Sequence, residues 1–121
     1  MDDHAEHALV VRAFTCGVRN CVEWCDERTT FRLRRDPDLQ GLTPEAIKRI
    51  VFDFVLAGGT IGQVREGRER YRQDFPYYYK AIIPLEGFPR GLFVEMRLVD
   101  GDDPEYPIVH LVNAHPQQGA R

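Results

Sequence analysis

Four polar residues in the C-terminal half of the chain could do chemistry together: Lys80, Glu95, Arg97 and His110. Cleaving RNA by attack of its own 2′-hydroxyl needs a base, an acid and a cation at the phosphate. His110 or Glu95 would move protons. Arg97 and Lys80 would hold the phosphate and its developing charge. The competing reading is a set of cross-strand salt bridges on a solvated sheet face, with His110 packed in the core.

A second group lies just upstream. Arg65, Arg68, Arg70 and Arg72 precede Phe75 and the run Tyr77, Tyr78, Tyr79. Guanidinium groups for phosphates and rings for bases are what single-stranded RNA would meet, so these residues are RNA-binding candidates. Glu66, Glu69 and Asp74 cancel part of that charge. A charged hairpin edge that discourages strand-to-strand association also accounts for the pattern.

A third group, His4, His7, Cys16, Cys21 and Cys25, has the residue types of a zinc site. The spacing contains no Cys-x-x-Cys pair, so no metal or other cofactor is expected. Cys16 beside Gly17 is the best candidate for a reactive thiol, with no sequence feature that would activate it. The acidic stretch Asp100, Asp102, Asp103 lacks a calcium-loop pattern and reads as a turn. His115-Pro116 also reads as a turn after the last strand.

The elements that must position these residues follow from pattern. The 121 residues suit one domain, with 1–8 and 117–121 expected to be flexible. Apolar residues make up 43%, enough for a core. The net charge of −3 argues against a general nucleic-acid coat protein but leaves room for a local basic patch. No run of about 18 apolar residues is present to span a membrane. The acidic start Met1-Asp2-Asp3-His4 is unlike a secretory signal, so a cytoplasmic location is expected. Three cysteines, an odd count, read as reduced thiols.

The expected fold is α+β: a short N-terminal helix or strand, one capped helix, then an antiparallel sheet of three to four strands packed on it. Residues 9–14 fit a strand or a helix end. Val18, Cys21, Val22 and Cys25 recur at helical spacing, which predicts a short helix over 18–28. The alternation in 29–35 predicts a strand. The helix over 44–57 is the clearest element. Thr43 is its cap, Pro44 its first residue, Leu42 and Ile47 a staple, and Gly58-Gly59 its stop. Ile47, Ile50, Val51, Phe54 and Val55 form its apolar stripe. Strands follow over 60–65, 77–83, 92–99 and 107–114, with short connections that favour antiparallel neighbours.

Alternation then sorts the side chains. Tyr77, Tyr79, Ala81 and Ile83 oppose Tyr78, Lys80 and Ile82. Leu92, Val94, Met96 and Leu98 take the core face, so Glu95 and Arg97 point away from it. Val109 and Leu111 oppose Ile108, His110 and Val112, and both sets are rich in apolar residues. His110 is therefore either packed with Ile108 and Val112 or gathered with Lys80, Glu95 and Arg97 on the open face.

The order of these segments resembles a bacterial domain family related to the RelE and BrnT toxins. The likeness covers about residues 42–116. It rests on Leu-Thr-Pro-Glu opening the helix, Ala-Gly-Gly-Thr-Ile closing it, the segment Tyr-Arg-Gln-Asp-Phe-Pro-Tyr-Tyr-Tyr-Lys, then Gly-Phe-Pro-Arg-Gly-Leu-Phe-Val-Glu and Ile-Val-His-Leu-Val-Asn-Ala-His-Pro. It implies a compact α+β fold, ribosome- or RNA-directed cleavage as a metal-independent ribonuclease, and an antitoxin-like protein partner. The chain departs from the family at its front. A His-Ala pair is common shortly before the helix in the family, whereas here that segment is Phe31-Arg32-Leu33-Arg34-Arg35, and His7-Ala8 lies far upstream. A module that binds a protein partner without catalysis is the other function these exposed Tyr and Arg residues would suit.

Overall fold

The structure, a computed structural model, describes residues 3–69 and 74–118. It is α+β. Among the described residues helices α1 (Asp3–Thr15), α2 (Glu27–Arg34) and α3 (Pro44–Leu56) precede or flank strands β1 (Val22–Trp24), β2 (Gly62–Arg65), β3 (Tyr77–Leu85), β4 (Phe88–Asp100) and β5 (Ile108–Pro116). The strand order is β1-β5-β4-β3-β2. The last four strands form the expected antiparallel meander, and β1 joins its edge parallel to β5.

Helix α3 forms where its caps and stripe place it. The Thr43 side chain accepts from the Ala46 amide (3.1 Å), and Ile47, Val51, Phe52 and Val55 are buried. Helix α1 lies beside it. Val10, Ala13 and Phe14, spaced three and one apart, make its buried face, and Phe14 meets Phe52 edge-on at 5.0 Å between ring centres. Both helices cover one sheet face. That face carries Tyr79, Ala81 and Ile83 of β3, Leu92, Val94 and Met96 of β4, and Val109, Leu111 and Ala114 of β5.

Several expectations from the N-terminal third are corrected. Residues 9–14, read as a strand or a helix end, belong to α1, whose first turns are residues 3–8. The segment 18–28 is not a helix: it holds a 3₁₀ turn over Arg19–Cys21, then β1. Val22 is fully buried against β5, and the Cys25 amide donates to the Leu111 carbonyl (3.0 Å), so backbone pairing with a distant strand overrides the helical spacing. The segment 29–35 is not a strand. The Asp26 carboxylate accepts from the Thr29 amide (2.7 Å) and starts α2 there, with Glu27 in its first turn, Arg32 and Arg34 in its last, and Leu33 as its one buried residue. His115-Pro116 belongs to β5 and not to a turn.

Candidate functional site

The second face of the sheet is not covered by α1 or α3. Glu95 on β4 stands across from Asn113 on β5, and Arg97 across from His110. A register shift between these two pairs leaves Val112 as an extra residue in β5. His110, Val112 and Asn113 thereby all line the same side, which strict alternation would not allow. The same shift carries His115 to that side, where its ring stacks on Phe93 at 4.6 Å.

This face forms the floor of a cleft of about 370 Å³. One wall is α2 and the two residues before it, with Cys25, Asp26, Thr29 and Arg32; the other carries Arg68 and Phe75. Arg32 is exposed at the rim and donates to Asn113 Oδ1 (3.0 Å). His110 is half-buried on the floor.

Two arginines and two carboxylates interlock beside the histidine. Glu66, only 1% exposed, accepts from Arg68 Nε (2.9 Å) through one oxygen and from Arg97 Nη2 (2.7 Å) through the other. Arg68 Nη2 reaches across to Glu95 (2.9 Å), which also takes Arg97 Nη2 at 3.4 Å. The Arg68 bonds and, after them, its backbone amide and Arg97 hold the Glu66 carboxyl down at about 2 against the cost of its burial. Glu66 first, and then Glu95, stabilise the charged form of Arg68. Phe75 covers the Arg97 guanidinium, 5.3 Å from its ring centre, and Tyr78 lies 5.7 Å from that of Arg68. Among the described residues these four charges cancel, and Asp26 and Arg32 on the α2 wall bring the cleft to three arginines against three carboxylates.

Of the four residues read as a catalytic group, three line this cleft: Glu95, Arg97 and His110. Lys80 does not. It sits on the same face, opposite Glu95, but its stem leans over Gly62 of β2 and borders a separate groove with Phe54 and Ile82. The RNA-binding candidates also divide. Tyr79 is fully buried, donating from its hydroxyl to Glu6 (2.9 Å) and accepting from Gln63 (2.9 Å), so it offers no surface to a ligand. Tyr77 is tied to Asp3 and lies beneath Arg65 on the β2 edge. Arg68 joins the cleft, Tyr78 backs it, and Arg70 and Arg72 lie outside the described residues. Sequence reasoning missed Glu66, Arg32 and Asn113. No family model, curated protein or solved structure matches this chain.

Of the zinc-type residues, Cys16 and Cys21 lie together, while His7 and Cys25 are engaged elsewhere. His7 Nε2 donates to the Ile61 carbonyl (2.7 Å), and Cys25 Sγ meets Thr29 Oγ1 (3.4 Å). Among the described residues no group of three or more His, Cys, Asp or Glu could hold a metal ion. No described helix is long and apolar enough to cross a membrane.

Proposed function

We propose that this chain is an RNA-directed, ribonuclease-type domain that cleaves single-stranded RNA in the cleft on the open sheet face. The observation that carries the reading is His110, a half-buried imidazole on a polar floor, registered against Arg97 and facing an exposed arginine at the rim. An imidazole can take the 2′-hydroxyl proton or return one to the leaving 5′-oxygen. Arg32 replaces Lys80 as the phosphate-holding cation, with Arg68, whose side chain is 47% exposed, on the opposite wall. Arg97 and Glu95 act as positioning residues, because both are buried as well as bonded within the network, whereas Arg68 keeps an exposed side. The stacked Phe93 and His115 lie two alternating pairs further along the same face, next to a groove that includes Arg90. Such a platform gives an unpaired base a surface to stack on.

The test is cleavage of a single-stranded RNA by micromolar purified protein, with growth of an expressing bacterial host in parallel. The expected result is cut RNA, with His110→Ala slower by about 100-fold or more, and Arg32→Ala weaker in binding. Intact RNA and unaffected growth would end the proposal.

A second reading, a non-catalytic module that holds an antitoxin-like or other protein partner, is favoured by one observation. Phe31 on α2 is 59% exposed beside Arg35, on the helix that borders the cleft. Aromatic and arginine side chains are favoured at such contacts. A stable complex with a co-expressed partner, lost in Phe31→Ser and unaccompanied by RNA cleavage, would select it.

A further inference from the structure

Two thiols outside the cleft lie within reach of each other. Cys16 follows α1, where its amide still donates to the Arg12 carbonyl (2.9 Å). Gly17, at φ +87°, reverses the chain in the left-handed region that suits glycine. Cys21 then ends the 3₁₀ turn and is buried next to Val22. The result is a Cys16 Sγ to Cys21 Sγ separation of 3.5 Å between two free thiols. A disulfide bond is about 2.05 Å long, so closing it asks for movement of about 1.5 Å shared by two side chains. Cys25 is engaged elsewhere, with Thr29 at the cleft wall.

We propose that Cys16 and Cys21 form a dithiol site that a hydroperoxide converts to an intramolecular disulfide, leaving Cys25 reduced. The Cys16 thiolate attacks one peroxide oxygen and the O–O bond breaks. Cys16 becomes a sulfenic acid, and the other oxygen leaves as water, or as an alcohol from an organic peroxide. The Cys21 sulfur then attacks the Cys16 sulfur: the S–S bond forms, the S–O bond breaks, and the hydroxyl departs as water with the Cys21 proton. Two thiols lose two electrons and two protons, and the peroxide takes them up.

The order of events follows from exposure. Cys16 is half-buried and can meet a peroxide, whereas Cys21 is 2% exposed. Burial, then the neighbouring Cys16, pushes the Cys21 thiol up to about 11, which keeps it protonated and slow to react with a peroxide by itself. Cys21 is thus the resolving partner, idle until an electrophilic sulfur forms beside it. If the two sulfurs were only small packing groups, oxidation would stop on single exposed thiols.

The folded full chain is exposed to a small excess of hydrogen peroxide, alkylated under denaturing conditions and digested with trypsin. Cleavage after Arg12, Arg19 and Arg28 separates Cys16 from a peptide holding both Cys21 and Cys25. The expected product is lighter by two hydrogens and has one alkylated thiol, Cys25. Peptides 13–19 and 20–28 are joined through Cys21 and released by dithiothreitol. Cys16→Ser, a change at a partly exposed position, should abolish the link and leave two alkylated thiols. Three alkylated thiols in the treated wild-type chain, a link through Cys25, or sulfinic acid on Cys16 without a link would each overturn the proposal.

Discussion

Replacing Glu66 by Gln tests the buried ion network at its centre. Glu66 is the residue both arginines share, and almost none of it meets solvent. Its carboxyl is held at about 2 rather than at the ordinary 4.5, first by Arg68. That difference corresponds to ~3 kcal/mol of folding stability at neutral pH. The range for breaking a buried pair is similar, roughly 3–5 kcal/mol. Because the folded value is the lower one, this contribution is complete above about 4.5 and fades as the pH falls towards 2. At pH 3 under half of it should remain. Urea unfolding of wild type and Glu66→Gln at pH 7 and pH 3 reads both quantities. The variant should be less stable by ~3 kcal/mol at pH 7, and the gap should narrow by more than half at pH 3. A variant as stable as wild type, or a gap of equal size at both pH values, would refute the network as described.

Three further outcomes follow from other parts of the molecule. Leu92→Ala empties a fully buried position in the middle of the sheet and should cost about 3 kcal/mol in urea unfolding, within the range for such truncations. Gly91→Ala should also destabilise, because φ is +89° there and a Cβ would come within 2.9 Å of the Ile83 carbonyl oxygen; a lowered melting temperature checks it, and an unchanged one contradicts it. RNA affinity should fall only gently with salt, with a slope set by about two phosphate contacts, Arg32 and Arg68; titration over a range of salt concentrations measures it.

What the sequence shows about this fold depends on how local each signal is. Helix α3 is legible because its cap, first residue, stripe and stop lie within one short segment. Strands β3 and β4 are legible because an apolar set alternates with one that carries polar residues, and β5 because a run of apolar residues is bounded by turn residues. Burial of Tyr79 follows from the same alternation, since it shares a side with Ala81 and Ile83; its hydroxyl needs only Gln63 and Glu6 as partners. Strand β1 is not legible, because its three residues owe their extended form to β5, far along the chain. Helix α2 has residues suited to strands, Thr29, Thr30 and Phe31, and is decided by one capping carboxylate at Asp26. Parity put Glu95 and Arg97 on one face but left His110 between two placements, and only its register against Arg97 decides between them. The roles of Asn113 and His115 were not readable, because the register shift at Val112 reverses alternation beyond it. Glu66 sits in a charged run with the local look of a solvated turn, and only its two arginine partners explain its burial.

The cleft reading is tested most directly with an oligonucleotide that is deoxy throughout except for one ribonucleotide. Attack by a neighbouring 2′-hydroxyl requires a cut on the 3′ side of that one sugar, leaving a 2′,3′-cyclic phosphate, with His110→Ala slower by about 100-fold or more. An uncut strand, cuts at the deoxy positions, or equal rates for the two proteins would contradict it.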